Sequence, residues 1–270
     1  MSNMDNINLE TKNSNIENCT ETQKKRGIYL FPNLITTAGL FAGFYAIVAA
    51  MKSNFELAAM ALFVAAILDN LDGRVARLTG TQSAFGAQYD SLSDMVCFGM
   101  TPALMAYSWG LQYLGKIGWL VAFMYVAATG LRLARFNLAE NSDKKFFIGL
   151  PCTSAASVIA GMVWVGTDFD IPGKTISEIA ALVVMALSLL MVSNLRYHSF
   201  KEIDLKGNVP FISIFLVVFV YVLIAWNPAK ILFSMFFIYM LSGVVGFFIK
   251  KIQNSKQQNS SSQSKISAIK

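Results

Sequence analysis

Four carboxylates crowd one short stretch of this chain. Asp69, Asp72, Asp90 and Asp94 fall within the run DNLDGRVARLTGTQSAFGAQYDSLSD, at the junction of two strongly apolar segments. Asp69 and Asp72 are three apart and Asp90 and Asp94 four apart, so on helices each pair shares one face, a turn separated. An Asp inside a membrane helix costs about 2.5–3.5 kcal/mol on an insertion scale, and four together repel one another. A cation or a proton must therefore compensate. Two such faces opposed would form a cage of hard oxygen ligands, suited to two divalent cations, Mg²⁺ or Mn²⁺, with positions left for phosphate oxygens and water. No His or Cys accompanies the acids, which argues against zinc. Gly73 and Ala76 follow Asp72 on the same side of the helix and Gly86 precedes Asp90 by one turn, so a flat ligand could approach the backbone there. The plainer alternative is that the acids cap helices or pair with Arg74 and Arg77, while the small residues only let helices pack. Two basic residues balance four acids poorly.

The elements that must position these acids are apolar. The chain has 270 residues, of which 55% are hydrophobic and 14% charged, with a mean hydropathy of +0.51. An ordinary soluble domain carries about one quarter charged residues, so the composition indicates a polytopic membrane protein. Eight apolar stretches stand out, at 28–51, 55–77, 92–114, 117–138, 150–167, 175–194, 208–226 and 229–249. The expectation is an all-α bundle of about eight transmembrane helices, with polar tails at 1–27 and 251–270 around a membrane domain at 28–250. The acidic N-terminal residues lack the pattern of a cleavable signal, so that tail is expected to be retained.

The net charge is +6, but the positive residues flank apolar runs, which points to topology and anionic lipid headgroups rather than nucleic acid. Eighteen Lys and Arg fall on one side, against Lys52, Lys116, Lys174 and Lys230 on the other. That asymmetry predicts cytoplasmic termini, with the acids at the cytoplasmic edge. Lys24, Lys25 and Arg26 suit either a short interfacial segment or a plain anchor. Cys19, Cys97 and Cys152 are too scattered for a disulfide framework and are expected to be reduced. Gly39 and Gly43 form a GxxxG pair compatible with close helix packing or with a homodimer. His198 reads as a surface residue, Asp168 and Asp170 as solvated, and Phe236, Phe237, Phe247 and Phe248 as packing or lipid-facing side chains.

The acidic stretch resembles the pattern D-x2-D-G-x2-A-R-x8-G-x3-D-x3-D of the CDP-alcohol phosphotransferase family, matching it at every specified position from Asp69 to Asp94. The resemblance implies an integral-membrane transferase that moves a phosphatidyl group from CDP-diacylglycerol to an alcohol and releases CMP. By the same resemblance, Asp69, Asp72 and Asp90 are metal ligands and Asp94 is both a ligand and the general base. Gly73, Ala76 and Arg77 would lie along the cytidine and diphosphate, and Gly86 would keep the two helices close. The chemistry asks for such groups independently, because a diphosphate must be neutralised before a hydroxyl can attack phosphorus, and that hydroxyl needs a base. Direct in-line displacement is expected, since the stretch lacks an activated nucleophile.

Two further stretches bear on the substrates. In PNLITTAG, Asn33 and Thr36 lie about one turn apart and could face the lipid diphosphate. In GLRLARFN, Arg132 and Arg135 could turn toward one small anion, with Asn137 nearby, although snorkelling anchors would look the same. With FIGLP at Phe147 to Pro151, these resemble the phosphatidylserine synthase branch, which implies L-serine as acceptor and a bacterial inner membrane. Glycerol 3-phosphate or inositol phosphate would also suit a pair of arginines. A divalent-cation channel or transporter is the alternative of another class, but the acids cluster at one edge and no interior acid continues a path.

Overall fold

The computed structural model describes residues 31–138, 146–198 and 211–246. The two expected tails, the Lys24 to Arg26 segment, Cys19, Lys144, Lys145, Phe247, Phe248 and the side chain of His198 lie outside the described residues. Helix α1 runs Phe31–Met51, α2 Phe55–Leu78 and α3 Ala84–Asp94. The α3 backbone continues through a π-helical segment, Met95–Met100, into α4, Thr101–Trp109. A 3-10 turn at Leu111–Leu114 leads to α5, Lys116–Leu138. There follow α6, Cys152–Asp168, α7, Ser177–Val192, α8, Phe211–Trp226, and α9, Pro228–Gly246.

Each apolar stretch is thus matched by helix, with one shift that matters. The third helical run begins at Ala84 rather than near 92, because Ser83 caps it by accepting from the Gly86 amide at 3.0 Å. Asp90 and Asp94 therefore ride on the same continuous run that enters the core. The fold is all-α, with one short ribbon added to the helices. Strand β1, Phe146–Ile148, pairs antiparallel with β2, Arg196–His198, in the register Phe146 to His198. The ribbon joins two connections that the apolar pattern leaves as loops. Gly149 ends it at φ +82°, where an added Cβ would strike the Met191 carbonyl, and its amide donates to Leu195 O at 2.8 Å.

By length and composition, α1, α5 and α9 are long and apolar enough to cross a membrane, and α7 is a shorter apolar helix. Helix α2 has the length, at 24 residues, but its last part carries Asp69, Asp72, Arg74 and Arg77.

The core is organised around α6. It packs on α2, α4 and α7, and Ala155, Ala156, Val158, Ile159, Ala160 and Val163 are wholly buried. A helix apolar on every side belongs in an interior, and its small residues let neighbours approach. A Cβ on Gly161 would meet Phe233 of α9 at 2.9 Å. Phe63 of α2 joins the same layer, 6.2 Å from both the Trp164 and Phe236 rings, so Phe236 is a packing residue. At the far end of α6, Asp168 pairs with Lys230 at 3.9 Å and Lys230 stands over the Phe169 ring, so Asp168 is not merely solvated.

Gly39 and Gly43 turn inward to their own chain. A Cβ on Gly39 would lie 3.6 Å from Leu68 Cβ of α2, and one on Gly43 would lie 2.5 Å from Cys97 Sγ in the π segment. Cys97 in turn donates to Gly39 O at 3.5 Å and Thr101 to Gly43 O at 3.1 Å. Gly43→Ala should force α1 away from α3 at a cost of about 1–3 kcal/mol. A fall in melting temperature of the detergent-solubilised protein, with reduced activity, is the expected result; an unchanged melting temperature would show that the contact relaxes freely.

Candidate active site

Three elements bring the carboxylates together. The first turns of α1, the end of α2 and the length of α3 from Gly86 to Asp94 converge. Thr36 and Asp72 are nearly inaccessible, at 6% and 5% exposure, and Thr36 Oγ1 donates to Asp72 Oδ2 at 2.6 Å. Thr37 Oγ1 lies 2.9 Å from the Tyr89 hydroxyl, so α1 is tied to α2 through one threonine and to α3 through the next. Gly86 allows that closeness: a Cβ there would lie 3.1 Å from Ser83 Oγ and 3.4 Å from Asn33 Oδ1.

Carboxylate oxygens of Asp69, Asp72 and Asp90 all lie within 4.8 Å of one another. Asp94 lines the same small cavity, and its side chain is hydrogen-bonded to Asp69. At such separations each charged pair repels by about 3 kcal/mol at an effective dielectric of ~20. Asp90, on the polar turns that precede the third apolar stretch, shows the result: burial first, then the charges of Asp72 and Asp69, push its carboxyl up to about 7. An all-oxygen donor set, with repulsion that a cation would relieve, fits a hard divalent ion and no soft one.

The carboxylates open into a cleft of about 810 Å³. Asn33, Thr36, Gly73, Ala76, Arg77, Gly86 and Arg132 line it together with all four aspartates. Gly73 presents bare backbone, since a Cβ there would meet nothing nearer than Arg77 Nη2 at 4.0 Å. Arg77 is exposed, and its Nε donates to Gly73 O at 2.8 Å. The two arginines of α5 part company. Arg132 is buried at 9% exposure, whereas Arg135 is exposed and donates to Asn194 Oδ1 at 2.7 Å. Asn137 exchanges hydrogen bonds with Ser91 at 3.1–3.2 Å. Neither Arg135 nor Asn137 is among the residues that line the cleft.

Residues 29–194 match the family model for CDP-alcohol phosphatidyltransferase. The chain belongs to that family. Among its relatives, the CDP-diacylglycerol–serine O-phosphatidyltransferase of Helicobacter pylori is 34% identical over 236 residues, covering 87% of this chain and 98% of that one. The enzyme of the same name from Mycobacterium tuberculosis is 34% identical over 194 residues, 68% of this chain and 67% of the other. The archaetidylserine synthase of Methanothermobacter thermautotrophicus is 33% identical over 168 residues, 62% and 68% of the two chains. The protein is a membrane transferase of the CDP-alcohol phosphatidyltransferase family.

The phosphatidyltransferase cleft also contains residues that spacing alone does not single out. Pro151, Cys152 and Thr153, at the start of α6, complete its lining beside Arg132. The signal for them is a proline directly before a small-residue apolar run, a helix-start pattern.

The carboxylate cluster has a direct thermodynamic test. Mg²⁺ or Mn²⁺ at about 100 times its Kd should stabilise the folded protein by roughly 2.7 kcal/mol, read as a rise in melting temperature that a chelator reverses. Asp72→Asn should remove most of that rise. An undiminished rise in this variant would place the metal elsewhere.

Proposed function

We propose that this protein transfers the phosphatidyl group of CDP-diacylglycerol to the hydroxyl of L-serine, giving phosphatidylserine and CMP. The observation that carries the proposal is one cleft holding both the four aspartates and a buried arginine; the names and extent of the relatives support serine as acceptor. Two divalent ions, Mg²⁺ or Mn²⁺, held by Asp69, Asp72, Asp90 and Asp94, would neutralise the diphosphate and stabilise charge that develops at phosphorus. The bare wall at Gly73 and Ala76 lets the cytidine diphosphate lie against the backbone. Arg77 and Asn33 face its phosphates from the rim, and Thr36 holds Asp72 in place. Gly86 keeps α3 against α1.

Arg132 binds the serine carboxylate and turns the hydroxyl toward Asp94, with Arg135 and Asn137 supporting that side from behind. A carboxylate oxygen of Asp94 accepts the hydroxyl proton as the serine oxygen bonds to phosphorus. The bond from that phosphorus to the CMP oxygen breaks, and CMP leaves with the electron pair. Charge and atoms balance without a covalent enzyme intermediate.

The same reading takes residues 28–250 as a membrane domain of eight spans with both termini in the cytoplasm. The active site then faces the cytoplasm from a bacterial inner membrane. Basic residues concentrated on one side of the apolar stretches support that orientation. Gly39 and Gly43 serve contacts within the chain, so a homodimer would use other faces.

The test is CMP release by purified protein in detergent, with CDP-diacylglycerol and Mg²⁺ or Mn²⁺, comparing L-serine, glycerol 3-phosphate and inositol 1-phosphate. Serine-dependent release is expected, and Asp94→Asn should lower it roughly 10²–10⁴-fold while leaving the protein folded. Release with a phosphorylated acceptor alone would overturn serine; silence with every acceptor from folded protein would favour cation transport instead.

A further inference from the structure

Helix α6 begins in the cleft, and it begins in an unusual way. Its N-cap is Pro151, at ψ 137°, with no side-chain hydrogen bond to the first turn. Pro151 O accepts from the Ala155 amide at 3.0 Å, so helical bonding starts only there. The amides of Cys152, Thr153 and Ser154 are the donors that every helix leaves without a partner inside the helix. Over 17 residues the aligned peptide dipoles add partial positive charge at this end.

Arg132 supplies the second observation. Its guanidinium reaches the first residue of α6, with Nη1 donating to Cys152 Sγ at 3.2 Å. Its buried Nε has no hydrogen-bond partner among the described residues. A thiol sulfur is a weak acceptor, so beside the cleft one strong donor of the guanidinium meets only sulfur and another is orphaned. Burying a guanidinium nitrogen unpaired is costly, and a planar anion would satisfy it.

The charge count selects which anion. Arg135, the other arginine of this helix end, is engaged with Asn194 and is absent from the cleft lining. Among the described residues at this end of the cleft, one guanidinium and a helix end suit a singly charged carboxylate better than a phosphate dianion, which would call on both arginines of α5. We infer that the first turn of α6 and Arg132 form one carboxylate site, in which the Cys152 and Thr153 amides, rather than a second arginine, complete the recognition of the acceptor. Arg135 is then a positioning residue. Through Asn194, next to the ribbon at Arg196–His198, it holds the 149–153 segment in register. This inference rests on the serine reading and names how that acceptor is told from phosphorylated alcohols.

The decisive comparison is steady-state CMP release by the full chain in detergent with Mg²⁺ and CDP-diacylglycerol, using L-serine or L-serinamide, which keeps the hydroxyl and ammonium but lacks the carboxylate. Serinamide should show kcat/KM at least about 100-fold lower. Arg132→Lys keeps the charge but loses the fork, and should raise the serine KM tenfold or more with the CDP-diacylglycerol KM within threefold. Proline is accepted at a helix's first position, so Cys152→Pro removes one amide donor, and its serine KM should be about tenfold above that of Cys152→Ala. If Cys152→Pro does not fold, serinamide and Arg132→Lys decide. Equal use of serinamide, or an Arg132→Lys effect on the CDP-diacylglycerol KM alone, would overturn the inference and assign this site to the lipid diphosphate. Activity only with glycerol 3-phosphate or inositol 1-phosphate would instead overturn the serine reading itself.

Discussion

Mutual repulsion among carboxylates gathered from two helix ends is the constraint that the rest of this structure answers. Oxygens of Asp69, Asp72 and Asp90 within 4.8 Å of one another would separate if their helices were free to move. They are held by packing. Gly39 and Gly43 let α1 lie close to α2 and to the π segment, Thr36 is hydrogen-bonded to Asp72, and Thr37 reaches Tyr89. The polar bonds are few, each worth about 1 kcal/mol net. The close approach of backbones does most of the work, as in membrane interiors generally, where small residues replace the missing hydrophobic drive between helices.

The π segment belongs to the same solution. It follows Asp94 directly and its wider turn is fastened to α1 through Cys97 and Thr101, which donate to Gly39 O and Gly43 O. An interruption of this kind changes which face the helix presents on its two sides. The acid-bearing turns of α3 can face the cleft while Phe98 and Met105, further along, face the core.

Much of this was legible in the sequence, and the limits are physical. The apolar stretches located the helices because hydrocarbon solubility is a property of composition. The acid spacing located the site because period and chemistry agree there. The start of α3 at Ala84 was hidden, since its first turns are polar and only the Ser83 cap announces them. The π segment leaves no compositional trace. The ribbon pairs residues about fifty positions apart, and nothing local in FIGLP or RYH encodes the partner. Arg132 and Arg135 illustrate the sharpest limit: three residues apart on α5, they look equivalent in a helical projection, yet one is buried against Cys152 and the other turns to Asn194.

The composition of α6 bears on biogenesis. A segment whose Ala, Ser and Gly are interleaved with buried Val and Ile spends its apolar surface on protein neighbours rather than on lipid tails; its place depends on the helices that surround it. Some of these, α2 and α4, leave the ribosome earlier, but Phe233 on α9, against which Gly161 lies, leaves it well after α6. The acid-bearing wall is contiguous in the chain from α1 to α3 and can close early, whereas α6, whose first turn meets Arg132, gains one of its packing partners only when α9 has emerged.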